Sequence, residues 1–168
     1  MGLIKKVLGI TDRLFELAGM LFLVSMVVII SIQVFTRQFF SFTPHWSEEV
    51  SMILMVWFGF IGMAIGVHRG IHLSIEYFVS IFPTKWQRVI HKIDDIIVAV
   101  FGFFIMLYGY KLVQLTGGST LPATQWPSYV LNMMAPVSGF MMIIYSLARI
   151  LGIEEDPSHM KIIKEEQN

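Results

Sequence analysis

Four long apolar stretches, each carrying charge only near its ends, constrain this chain more than any other feature. They lie near residues 15–36, 47–67, 94–115 and 128–149. Each approaches the roughly 20 apolar residues that an α-helix needs to cross about 30 Å of hydrocarbon. The third is the weakest, because only Ile96 to Tyr110 is free of charge between Asp95 and Lys111, a helix of about 23 Å. It still spans if Lys111 snorkels outward and Asp95 sits at the opposite interface. The chain is 55% apolar and only 14% charged, whereas soluble domains carry roughly a quarter of charged residues. A lipid-facing surface accounts for the excess. The predicted fold class is all-α integral membrane, one membrane domain over residues 1–168 with four transmembrane helices. Lys5 and Lys6 ahead of an apolar run resemble a secretory signal, but Leu17 to Phe35 is 19 residues without charge. That is longer than the roughly 7–15 apolar residues of a signal peptide, and no small-x-small cleavage site follows, so the span is expected to be retained.

Charge placement predicts the orientation. Lys5, Lys6 and Arg13 precede the first span, Arg69, Lys85, Arg88 and Lys92 lie between the second and third, and Arg149, Lys161 and Lys164 follow the fourth. Only Arg37 and Lys111 remain for the other side. The positive-inside rule then puts both termini in the cytoplasm, as four spans require. The 12 basic residues are balanced by 12 acidic ones, which argues against a nucleic-acid partner, since such binders carry a basic surplus. There is no cysteine, so disulfides, thiolate metal sites and cysteine nucleophiles are excluded.

Three segments have the pattern of interfacial helices. In residues 2–14, Leu3, Ile4, Val7, Leu8 and Leu14 share one helical face opposite Lys5, Lys6, Asp12 and Arg13, which predicts a helix lying flat on the inner leaflet before a first span at 15–36. Within 71–93, His72, Glu76 and Ser80 recur every four residues against Ile71, Ile75, Phe78 and Phe82, until Pro83 stops the pattern. From Lys85 a further amphipathic helix begins and is expected to run straight into the third span. The tail 150–168 is charged and is expected to be cytoplasmic.

Four groups of residues are candidates for specific roles. The first is Thr43-Pro44-His45-Trp46-Ser47-Glu48-Glu49 at the outer start of span two. Thr43 suits a helix cap, Pro44 the first helical position, and the two carboxylates oppose the positive end of the helix dipole. A sharper reading pairs Arg37, a short turn away, with Glu48 or Glu49. The second is His68-Arg69-Gly70-Ile71-His72. Its histidines stand four apart, but Gly70 weakens the helix between them and no third ligand is near, so an interfacial turn touching headgroups or a partner is expected rather than a metal.

The third is the line Gly59, Gly62 and Gly66, a packing seam either inside the bundle or against another chain. Gly102 and Gly109 stand alone and are given less weight. The fourth is the uncharged outer loop 116–127, expected to form an ordered cap with Trp126 at headgroup level and Pro127 opening span four. Pro136 then falls inside that span, where it should kink the helix or leave a carbonyl for neighbours to satisfy.

No acidic or basic residue lies in the middle of spans one, two or four. No paired discontinuous helices or internal repeat accompany them, although a self-sufficient transporter shows such features at mid-membrane. A competing class is a haem-bearing membrane anchor of a respiratory enzyme. Haem needs facing axial ligands, whereas His68, His72 and His91 lie at inner helix ends and His45 at the outer edge. A Soret band from the purified protein would revive that reading.

The stretch from Arg37 through Trp46-Ser47-Glu48-Glu49, Gly59, Gly62 and His68-Arg69-Gly70-x-His72 to Glu76 resembles the small membrane subunit of tripartite ATP-independent periplasmic (TRAP) transporters, the DctQ-type subunit. Leu121-Pro122-Ala123 through Pro127, Tyr129 and Pro136 is similar to a second signature of the same family. The resemblance implies a three-part importer of the bacterial inner membrane. A periplasmic substrate-binding protein delivers an organic acid, typically a dicarboxylate or a sialic acid, to a large elevator-type subunit holding the sodium and substrate sites. The small subunit would enlarge the static scaffold and offer part of the docking surface for the periplasmic protein. On this reading the chain has no catalytic residue, cofactor or metal. Its partners are the large subunit, the binding protein and the bilayer. The candidate interface residues are Arg37, Trp46, Glu48, Glu49, Gly59, Gly62, Gly66, Arg69, His72, Glu76 and Pro136.

Overall fold

The computed structural model describes residues 2–69 and 84–151, with side chains described for 8–69 and 89–151. The second expected interfacial helix, with His72 and Glu76, and the tail from residue 152 lie outside the described residues. The elements are α1 (Gly2–Phe40), α2 (His45–His68), α3 (Thr84–Thr116), the single turn α4 (Tyr129–Asn132) and α5 (Met134–Ile150). Four segments are long and apolar enough to cross a bilayer: Leu8–Phe40, His45–His68, Val89–Thr116 and Tyr129–Ile150, the last taken across α4 and α5. Among the described residues the only β-type pairing is an isolated bridge between Thr120 and Pro127.

Where the sequence suggested a flat segment 2–14 followed by a separate span, α1 is one unbroken helix of 39 residues, about 58 Å long. No proline interrupts it, and two acids on its polar side find partners within the protein: Asp12 lies 3.7 Å from His68 and Glu16 lies 2.7 Å from Arg69. Residues 84–116 are likewise one helix, with the basic turns at Lys85 and Arg88 continuous with the third span. Helix α2 starts one residue later than a Thr43 cap would place it. Pro44 itself is the N-cap, with no side-chain cap bond, and its carbonyl accepts from the backbone N–H of Ser47 at 3.1 Å and the Ser47 hydroxyl at 2.7 Å.

The helices touch in the order α1, α2, α5, α3, with α4 wedged between α2 and α3. The two central helices bury faces rich in small residues: Ser47, Ser51 and Ala64 on α2, and Ala135, Ser138, Gly139, Ser146 and Ala148 on α5. Small side chains let helix backbones approach in lipid, where dispersion and hydrogen bonding rather than water exclusion drive association. The closest approach is between α3 and α5. A Cβ built on Gly139 would sit 2.7 Å from the Gly102 carbonyl oxygen, and one on Gly109 would sit 2.9 Å from the Pro136 nitrogen. The seam inside the chain is therefore made by Gly102 and Gly109, which carried less weight in the sequence, together with Gly139. Among the described residues, nothing lies within 4 Å of a Cβ added to Gly59, Gly62 or Gly66.

Pro136 acts as its chemistry requires. It has no N–H to donate to the Asn132 carbonyl, and its ring crowds that carbonyl, so the helix breaks at Met133 between α4 and α5. The Val130 carbonyl beside the break accepts a bond from the Trp57 indole N–H at 2.9 Å. The same indole ring packs edge-on against Phe22 with centroids 5.5 Å apart. Trp57→Phe keeps much of the ring contact but strands the carbonyl, and is expected to cost about 1–2 kcal/mol. Unfolding in mild detergent, compared with the parent chain, checks this value.

Candidate functional site

Ionisable side chains gather in two layers. At the end of the molecule that carries the N-terminus of α1, Asp12 and Glu16 of α1 meet His68 and Arg69 of the α2 end. Helical side chains lean toward their own N-terminus, and since α1 and α2 are antiparallel, Glu16 and Arg69 lean toward each other. In the same layer, Arg149 of α5 pairs with Asp95 of α3 at 3.2 Å, with side chains only 9% and 13% exposed. The Ser146 hydroxyl donates to the Asp95 backbone carbonyl, and the His68 and Tyr145 rings lie 4.5 Å apart between centroids, tilted by 39°. This layer ties α1 to α2, α2 to α5, and α5 to α3. Charge shielded from water at a bilayer edge is tolerated when it is paired in this way.

The opposite layer holds Arg37, His45, Glu48, Glu49 and Lys111. From Glu16 to Arg37 the helix rises about 31 Å, close to the roughly 30 Å of a hydrocarbon core. Glu49 is the organising group of this end. One carboxylate oxygen accepts from the Ala123 N–H at 2.7 Å, and the other from the Thr124 N–H at 2.8 Å and the Thr124 hydroxyl at 2.7 Å. The loop between α3 and α4 is thus fastened to the start of α2. It also folds on itself through Leu121 N–H to the Trp126 carbonyl at 2.8 Å and Ser128 N–H to the Ser119 carbonyl at 2.9 Å. Leu121 is buried beneath it, while Trp126 is half exposed. His45, Glu48, Glu49, Pro122 and Ala123 line an open depression beside this clamp.

The pairing expected for Arg37 is not formed. Glu49 is taken by the loop, and Glu48 accepts from the Gln33 side-chain amide at 3.2 Å. Gln33 lies one turn before Arg37 on the same face of α1 and occupies the place anticipated for the arginine. Arg37 stays exposed among the exposed rings of Phe39, Phe40 and Phe42, with Trp46 also half exposed. Arg69, in the turn that ends α2, lies against Glu16 at 2.7 Å. Among the described residues no group of three or more His, Asp or Glu side chains is arranged to hold a metal.

Between the layers, residues 17–36, 50–67, 96–110 and 128–148 contain no Asp, Glu, Lys, Arg or His. The sequence reading missed the partners Asp12, Glu16, Asp95 and Arg149. A signal for the last two was present, since both stand at the same end of their spans with opposite charge. Gln33 and Thr124 carried none.

Four helices long and apolar enough to cross a membrane define the class, a multi-span helical membrane protein. The family profile described as tripartite ATP-independent periplasmic transporters, DctQ component, matches residues 26–155, and the chain belongs to that family. It is 24% identical over 150 residues to the sialic acid TRAP transporter small permease protein SiaQ of Vibrio cholerae serotype O1, covering 89% of this chain and 87% of that protein. It is 23% identical over 158 residues to the isethionate TRAP transporter permease protein DctMQ of Oleidesulfovibrio alaskensis, covering 87% of this chain but 24% of that longer one. Similarity to the sialic acid TRAP transporter permease protein SiaT of Haemophilus influenzae is 27% identity over 95 residues, covering 56% of this chain and 15% of SiaT. The chain is a small permease component of a TRAP transporter, a transporter part rather than a member of a known enzyme class.

Proposed function

We propose that this chain is the non-catalytic scaffold subunit of a sodium-driven, binding-protein-dependent importer of an organic acid, dicarboxylate-like or sialic-acid-like, in the bacterial inner membrane. The observation that carries the reading is the uncharged interior between two rim layers. A hydrophilic anion and its coupling ions need polar or charged groups near the bilayer midplane, so the transport sites belong to the large subunit. The relatives DctMQ and SiaT, in which a matching segment is a fraction of a longer permease, support a partner of that kind. The distribution of Lys and Arg supports cytoplasmic termini, and with them a periplasmic position for the Glu49-clamped loop and its depression, where a binding protein would dock.

Deleting this chain from cells that express the large subunit and the binding protein tests the reading. Uptake is expected to fall to background and to return when the chain is supplied on a plasmid. Uptake unaffected by the deletion would contradict the scaffold role.

A further inference from the structure

Cations at the two ends of the bundle are placed differently. At the end that carries the N-terminus of α1, Arg69 and Arg149 meet carboxylates of the chain itself. At the opposite end both acids of the α2 start are engaged, Glu48 by Gln33 and Glu49 by the α3–α4 loop. Among the described residues Lys111 of α3 has no carboxylate partner. Its ammonium lies over the Tyr108 ring, 5.6 Å from the centroid, one turn back along the helix rather than snorkelling past the helix end as the sequence suggested. Tyr108 in turn stacks on Phe104, with centroids 6.1 Å apart and planes 16° from parallel. Phe101, Phe104, Tyr108 and Lys111 follow one another at spacings of three and four, so they share one face, and all four are exposed.

Depth makes this cation costly. Asp95, in the charged layer at the far end of α3, is about 24 Å from Lys111 along the helix, against about 31 Å between Glu16 and Arg37 on α1. Lys111 therefore stops roughly 6 Å short of the far edge of a hydrocarbon core about 30 Å thick, and its lean toward Tyr108 takes the charge deeper. One cation–π contact does not offset that loss of water. We infer that Lys111 and Tyr108 hold the phosphate of one phospholipid, drawn inward from the leaflet on the side of the α3–α4 loop, with an acyl chain along Phe104 and Phe101. The face matches a phospholipid level by level. The ammonium meets the phosphodiester, the phenol O–H donates to a phosphate or ester oxygen, and apolar rings follow where the chain begins. A free phosphate would leave both phenylalanine rings uncovered. Drawing one headgroup inward is also the ordinary response of a bilayer to a span that is charged short of its edge.

Native mass spectrometry of the full chain, titrated in detergent with phosphatidylglycerol, counts the bound lipid. The parent is expected to retain one phosphatidylglycerol that Lys111→Gln holds roughly tenfold more weakly, as the loss of one charge-assisted hydrogen bond requires. Tyr108→Phe keeps the ring and removes the hydroxyl, so it should weaken binding about threefold. Lys111→Arg keeps the charge and should bind as the parent does. Thermal unfolding in lipid-free detergent should be alike in all four chains, since Lys111 and Tyr108 are exposed. Equal lipid retention by the parent and Lys111→Gln would overturn the proposal, as would equal retention of diacylglycerol, which has the chains without the phosphate. Glycerophosphate bound as tightly as the lipid would overturn it in favour of a free-phosphate site. Unchanged lipid retention with lower recovery of a co-expressed membrane protein in Lys111→Gln would overturn it in favour of a protein carboxylate.

Discussion

Gly139→Ala is expected to destabilise the protein by about 2–4 kcal/mol, a large loss for one methyl group. The added carbon would sit 2.7 Å from both the Gly102 carbonyl oxygen and the Met106 backbone nitrogen. Neither is a side chain that can swing aside, so α3 and α5 must separate, and the packing along Gly102, Met142 and Ile143 loosens with them. The same separation stretches the Arg149–Asp95 pair and the Ser146 bond in the layer at the N-terminal end of α1. Gly139→Val should be worse. Gly62→Ala is the internal control: it meets no neighbour in the chain and raises helix propensity, so it should be neutral or slightly stabilising. Reversible unfolding in mixed micelles, read by circular dichroism, distinguishes the pair.

Glu49→Ala is expected to have the second large effect, about 2–4 kcal/mol, because it removes three charge-assisted hydrogen bonds at once. The loss is bounded by water, which can reach the outer loop and take over part of the bonding. Glu49→Gln should fall between parent and Ala, since its amide oxygen can accept from only part of the Ala123 and Thr124 donor set and its NH₂ group would oppose the remaining N–H. The effect should be local. Hydrogen exchange of residues 116–127 should quicken strongly while the halves of α2 and α5 remote from that loop stay protected. Equal quickening throughout would mean that Glu49 supports the whole bundle rather than the loop.

The four spans and the break near Pro136 were legible because hydropathy and the missing proline N–H act within one segment. The uncharged interior was legible for the same reason. What escaped depends on how segments meet. The glycines of span two form the more regular line, yet regularity does not say which face turns inward, and the intrachain seam uses the isolated Gly102 and Gly109 against Gly139. Arg37 and Glu49 have opposite charges and close positions, but hydrogen-bond donors of a loop more than seventy residues later claim the carboxylate first. The amphipathic start of α1 had the pattern of a surface helix. Its acids instead pair with His68 and Arg69, a meeting set by the register of two antiparallel helices.

On the proposed function, this chain supports a carrier and is not one. Proteoliposomes with an inward sodium gradient, a loaded binding protein and radiolabelled organic acid test it most directly. The account predicts no accumulation with this chain alone and accumulation when the large subunit is reconstituted with it. Accumulation in vesicles that contain this chain as their only membrane protein would contradict it.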